Sequence, residues 1–374
     1  MLNALAVFLP LLALTLAAIL IRKNKTIAIP SQKNDVLLAV FCVTPILIYG
    51  LIFIGFRPEN AGFDTPIYLR AYRNIGHIFE AHSKGVYWYG NTELLWWPIQ
   101  SAFRYILNAR SWLILNYALT CIAIYLAYKT LEKHYQINPL IFPLVLFTYY
   151  FVYMGNGIRQ ALALPIALAA TVIFSDKKYI KSALLISLAI GLHWSSVLFL
   201  LIPAFRLSLI KKDWVYLAIP CVALALSTQF GSTAGWAINL LGVDALSTKH
   251  DLYFASDRES HVGVVWKTLN FWVCAISTLA FLTICKPSKY KSNVLHCYLT
   301  FFISIIFFGI NIADFSERYM PAILLTLPIT AALLTKEINV RPIIKNSLLL
   351  LGFLLMGIAV FFNKSAQVTL GYTT

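Results

Sequence analysis

Residues 111–181 read SWLILNYALTCIAIYLAY, KTLEKHYQIN, PLIFPLVLFTYYFVYMG, NG, IRQALALPIALAATVIFS and DKKYIK, and the alternation in this stretch decides the fold. Three apolar runs, 111–128, 139–155 and 158–175, each approach the ~20 residues that carry an α-helix across a bilayer. Lys129 and Lys133 follow the first run, while Lys177, Lys178 and Lys181 follow the third. Between the second and third stands only Asn156-Gly157. Basic connections on alternate turns are the charge asymmetry that fixes orientation in a membrane.

The same rhythm extends in both directions. Further apolar runs occupy 2–21, 36–56, 215–230, 268–285, 294–312, 319–335 and 347–362. Six short connections (22–35, 129–138, 176–181, 206–214, 286–293, 336–346) hold eighteen of the thirty lysines and arginines. Their acidic residues are Asp35, Glu132, Asp176, Asp213 and Glu337, so one side carries about +13 and the other about +2. With 60% hydrophobic and 12% charged residues and a mean hydropathy of +0.75, the chain has no room for a soluble domain of ordinary size. The expectation is an all-α polytopic membrane protein of about ten full transmembrane helices, one membrane domain over 1–374. The net charge of +15 belongs to cytoplasmic loops and excludes nucleic-acid binding. Arg22, Lys23 and Lys25 follow the first apolar run instead of preceding it, which predicts a retained first helix with its N-terminus outside.

Two segments depart from simple crossings. Residues 94–107, with Pro98 and Arg104, are short and lie between outside stretches, predicting a re-entrant or interfacial helix. Residues 182–205 have lysines before them and Arg206, Lys211 and Lys212 after them, and Gly191-Leu-His193-Trp-Ser195-Ser196 in the middle. Two readings fit: a single kinked span, or a hairpin of two half-helices with His193 near its tip, which keeps both basic clusters on one side; such backbone survives only where protein or a cavity surrounds it. The long outside loops, 57–93 and 231–267, carry many aromatics. A membrane-interface belt accounts for them individually, and a sugar-stacking groove accounts for them together.

Candidate chemistry collects on the outside. Asp64 precedes Pro66 at the start of a helical pattern in which Ile67, Ala71, Ile75, Ile78 and Phe79 recur on one face and Arg70, Arg73 and His77 on another. Asp64 is there a helix cap or a carboxylate able to accept a hydroxyl proton. Gly155-Asn156-Gly157-Ile-Arg159-Gln160 opens a helix whose unpaired N–H groups and arginine fork suit phosphate oxygens; the plainer alternative is an arginine snorkelling to lipid headgroups. Arg318, beside Asp314 and Glu317, starts another span. His193 either ties off the hairpin tip or moves protons. The six cysteines lack ligand spacing and read as small buried hydrophobes. There is no Walker A loop, HExxH or Asp-rich prenyl-binding pair, and Asp257-Arg-Glu259 matches an acidic pair by spacing only; no metal and no cofactor are expected.

These features in this order resemble the EpsG/Wzy-like polymerases of O-antigen and exopolysaccharide assembly. The resemblance rests on Gly62-Phe-Asp64 with Tyr68, Glu93 before the next apolar segment, Asn156-Gly-Ile-Arg159-Gln160-Ala-Leu-Ala163, His193-Trp-Ser195 and Arg318-Tyr319, and spans about residues 36–335. It implies a GT-C-like membrane glycosyltransferase of the inner membrane. Its partners would be undecaprenyl-pyrophosphate-linked glycans on the periplasmic face, membrane lipids and a chain-length regulator protein. In that setting Asp64 is the expected base, with His193 or Glu93 as second choices. Arg159, with Arg318 or Arg70, is expected to meet the departing pyrophosphate, and Asn156, Gln160 and Tyr68 to line the substrate site. An O-antigen ligase or other lipid-linked sugar transferase would share these features. A flippase would instead place charges along a cavity open to both faces, whereas here they gather on one side and no internal repeat is visible.

Overall fold

The computed structural model describes residues 43–62, 64–84, 93–203, 212–229 and 265–371, and the described residues are helical with no strand among them. The expected span 2–21, the connection 22–35, residues 206–211 and residues 231–264, including Asp257 and Glu259, lie outside the described residues. Among the described residues, four helices are long and apolar enough to cross a membrane: α4 (Ala109–Tyr135), α6 (Ile158–Ser175), α11 (Ala313–Glu337) and α12 (Pro342–Phe362). Shorter apolar helices accompany them: α1 (Thr44–Gly50, continued by a wider turn to Gly55), α7 (Tyr179–Leu192), α8 (Val215–Ala225), α9 (Leu269–Ile284) and α10 (Val294–Phe308). Small helices α2 (Thr65–Asn74), α3 (Trp96–Arg104), α5 (Tyr150–Gly155) and α13 (Lys364–Leu370) sit at one end.

The basic connections meet at the other end. Lys133 pairs with Asp176, Lys289 with Glu337, and Lys336 Nζ donates to the Gln136 carbonyl at 2.6 Å. Asn293 donates to Tyr216 Oη at 2.7 Å, which brings the start of α8 to the same level as the start of α10. Connections 129–138, 176–181, 286–293 and 336–346 thus form one basic face, as the charge rhythm requires.

Three expectations need correction. Residues 139–155 are no continuous helix, because Pro139 and Pro143 remove backbone donors. Pro139–Phe147 winds as a 3₁₀ helix, and a second start follows at Thr148, whose hydroxyl accepts from the Tyr150 amide at 3.1 Å. Pro98 does not interrupt 94–107: it falls in the first turn of α3, where its missing N–H costs nothing. In the third, α2 ends at Asn74 before Gly76 (φ +74°), and its buried face is Tyr68, Leu69, Ala71, Tyr72 and Ile75. Ile67 and Ile78 are exposed, and Phe79 is 98% exposed.

The chain reverses at His193. α7 runs antiparallel to α6 away from the basic end, and His193 takes up extended backbone (φ −156°, ψ 119°). Trp194–Leu200 then winds back along α6 and α7, bringing Phe199 within 5.8 Å of Tyr298 and 5.0 Å of Phe302 in α10. Two half-helices therefore occupy 179–203, as the flanking lysines predict.

Prolines inside the spans shape the packing. A proline in a helix frees the carbonyl four residues before it, and lipid offers that carbonyl no donor. Pro165 frees Ala161, and Tyr150 Oη donates to that carbonyl at 2.7 Å. Pro321 frees Glu317, taken by Tyr153 Oη at 2.8 Å; Pro220 frees Tyr216, taken by Thr300 Oγ1 at 3.3 Å. Each kink is thereby locked to a neighbouring element. Tyr150→Phe is expected to lower stability by ~1–3 kcal/mol, the cost of an orphaned buried carbonyl. In a Pro165→Ala background the same change should cost much less, since residue 165 then supplies the missing N–H. Thermal unfolding of the four proteins in detergent checks this; equal costs in both backgrounds would refute the pairing.

Candidate functional site

The end opposite the basic face gathers most of the sequence-predicted residues. Arg159 lies in the first turn of α6 after Gly157, and it does not snorkel: it is 6% exposed. Its Nη1 pairs with Glu93 Oε2, and its Nε donates to Tyr68 Oη at 3.0 Å. The guanidinium also lies 5.3 Å from the Tyr68 ring centroid and 5.8 Å from that of Trp97. Glu93, 3% exposed, uses its other oxygen, Oε1, for His193 Nδ1 at 3.0 Å. One buried carboxylate thus bridges the arginine and the hairpin tip.

Local sequence explains this arrangement. Leu95 N–H donates to the Gly191 carbonyl at 2.9 Å, and a Cβ at Gly191 would stand 2.5 Å from the Leu95 side chain. Only glycine lets the two backbones meet this closely, and that contact carries Glu93 to His193. The anion that Arg159 holds at the start of α6 is therefore a side chain of the protein itself. Tyr68 comes from the buried face of α2, and burial pushes its phenol up, with Arg159 opposing. It stays neutral and serves Arg159 as a hydrogen-bond acceptor.

Asp64 stands at the start of α2, yet its carboxylate makes no capping hydrogen bond. Its backbone N–H is fixed instead, donating to Asn156 Oδ1 at 3.0 Å. The carboxyl is half-buried, and desolvation raises it above its ordinary value against the opposing fields of Arg159 and Arg318. His193, whose side chain is 21% exposed, lies in the same two fields. Gln160 Nε2 donates to the Arg318 carbonyl and so ties the start of α6 to α11. Arg318 itself is exposed. Arg70 is exposed on the face of α2 turned away from Tyr68, and the structure does not bring it to the cluster.

The structure adds residues that the sequence left unassigned. Buried Arg57 donates to the Ile54 carbonyl at 3.1 Å and to Thr65 Oγ1 at 2.9 Å, joining the end of α1 to the start of α2. Trp96 and Trp97 follow Glu93 and are fully buried, so they belong to the packing under Arg159 and not to an interfacial belt. The signal for Trp97 was its place four residues after Glu93; for Arg57 there was none. Among the described residues, no cluster of histidines, cysteines and carboxylates has the form of a metal site.

Fold and site together define a helical polytopic membrane protein with a buried charge cluster at the end remote from its basic connections. The model of the EpsG family matches residues 38–374, and the chain belongs to that family. Membership supports a polysaccharide-polymerase type of function. Searches of curated proteins and of solved structures return no match.

Removing either member of a buried ion pair strands the other, at ~3–5 kcal/mol. Glu93→Leu and Arg159→Met are each expected to lose that much stability, and the double variant less than the sum. Thermal unfolding of the purified protein measures the coupling. Strictly additive losses would contradict the pair.

Proposed function

We propose that this chain is a bacterial inner-membrane polysaccharide polymerase of GT-C-like architecture. It joins undecaprenyl-pyrophosphate-linked oligosaccharide repeat units on the periplasmic face, with membrane lipids and a chain-length regulator as surroundings and partner. The observation that carries this reading is the placement of the Asp64 carboxylate, half-buried at the start of α2, in the fields of Arg159 and Arg318. Positive-inside charge puts the basic face in the cytoplasm and this cluster outside.

In the reaction, an acceptor sugar hydroxyl attacks the anomeric carbon of the donor unit. The bond from that carbon to the pyrophosphate oxygen breaks, and its electron pair leaves with the pyrophosphate. Asp64 takes the hydroxyl proton; its raised pKa makes it a stronger base than an ordinary aspartate. Exposed Arg318 meets the pyrophosphate first, and buried Arg159 stabilises the charge that develops as the bond breaks. Glu93 holds Arg159 and His193 in register. On this reading lipid-anchored substrates arrive from the bilayer past the hairpin and α3, the short elements at this end of the bundle.

Asn conserves the shape of Asp64 but cannot accept the proton, and losing a general base costs ~10²–10⁴ in rate. Cells whose sole copy carries Asp64→Asn, at matched membrane levels, should display single repeat units without a ladder of longer glycans. A full ladder with Asn would reduce Asp64 to a structural residue. Polymerisation by the wild-type protein should also fall as the pH drops through the raised pKa, since protonation removes the base.

A further inference from the structure

Helix α13 lies about 300 residues along the chain from Asp64, yet its C-terminal end packs against the turn that precedes it. Gly62 N–H donates to the Val368 carbonyl at 2.9 Å, and Gly62 adopts φ +77°, a conformation that L side chains rarely hold. A Cβ on Gly62 would lie 3.3 Å from Asn156 Oδ1, the atom that receives the Asp64 amide, and 3.4 Å from Thr369 Cα. Gly155 faces the same residue: its Cβ would meet Thr369 Cγ2 at 3.0 Å. Beyond the helix, Gly371 turns the chain at φ +75° against the other side of the loop, where a Cβ would stand 2.8 Å from Pro58 and 2.9 Å from Ala61. Three glycines in three separate parts of the chain thus clear space at one junction.

A helix of seven residues is marginal by itself. Its order comes from docking: Ala366, Thr369 and Leu370 are buried, and Asn363 caps its start by accepting from the Ala366 amide at 3.2 Å. What it docks onto is the pair of segments that fix Asp64, namely 58–62 and 155–156. On one side Asn156 holds the Asp64 amide; on the other Val368 holds the Gly62 amide. The backbone that carries the carboxylate is clamped from both.

We propose that α13 with Gly371 is a positioning element for Asp64, so that the turn it covers presents the carboxylate to the acceptor hydroxyl. This rests on the assignment of Asp64 as base. Arg159, Glu93 and His193 are held by one another, by Tyr68 and by the Leu95–Gly191 contact, so displacing α13 should spare recognition of pyrophosphate and impair the chemical step.

Two variants test this: a chain stopped after Asn363, and Gly371→Val, whose side chain would strike Pro58 and Ala61. Gly352→Val, with nothing within 4 Å of its added Cβ, is the control. Undecaprenyl-pyrophosphate-linked repeat units are the substrate for the purified proteins in liposomes. In both test variants kcat should fall by on the order of 10²-fold, the scale of a misplacement of ~1 Å, with KM within about twofold. A cysteine at Ala61, buried under Gly371, should react with maleimide faster in both. Faster labelling with wild-type kcat, or unchanged labelling, overturns the proposal; if the shortened chain fails to accumulate, Gly371→Val decides. Failure of the underlying assignment is separate: a normal ladder with Asp64→Asn removes the base, whereas loss with Asp64→Asn but normal kcat with Gly371→Val removes only the role of α13.

Discussion

A bilayer supplies no hydrogen bonds, so every polar group taken into it must find a partner within the protein. Most of this molecule follows from that constraint. Pro165 in α6, Pro220 in α8 and Pro321 in α11 each free one carbonyl, and a tyrosine or threonine from a neighbouring element takes it up. The kinks are thus places where elements are locked together. Tyr153 shows the consequence for the site: by holding the Glu317 carbonyl it fixes the turn of α11 that carries Arg318, while Gln160 holds Arg318 from α6.

Glu93 and Arg159 obey the same rule with whole charges. Neither is tolerable alone at this depth, and each compensates the other, with Tyr68 and His193 filling remaining hydrogen-bond positions. The pair is close to neutral, so it does not by itself attract an anion over distance. On the proposed function that task falls to the rim, where Arg318 is exposed, and Asp64 sits in the combined field of both arginines. The arrangement separates a buried, mutually paired cluster from a more exposed edge that carries Asp64 and Arg318.

The helical, membrane-type character of the chain was legible because its signal is local: apolar length and the charge of the next connection. Lysines on both sides of 182–205 favoured a reversal over a single kinked span, and the structure places it at His193. The site was legible as residue types near one face, but not as partnerships. Glu93 looked like a spare base and proves to be the bridge between Arg159 and His193, because a contact across 66 or 100 positions leaves no periodic trace. Asp64 looked like a cap by position, and the helix start is held by Asn156 and Arg57 instead. Hydropathy favours one helix over 139–155 because it weighs apolar length and ignores the donors lost at Pro139 and Pro143. Packing of α13 onto Gly62 had no sequence signal beyond the glycines themselves.

The central proposal is that Arg159, its planar fork held by Glu93 and Tyr68, stabilises through its field the charge that develops on a departing pyrophosphate. Purified protein in liposomes with undecaprenyl-pyrophosphate-linked repeat units, and no other protein, tests it by the release of undecaprenyl pyrophosphate per linkage formed. Arg159→Lys preserves the charge and loses the fork. The account predicts release coupled to chain growth in the wild type and its near-complete loss in Arg159→Lys at unchanged insertion; wild-type release by the lysine variant would contradict it.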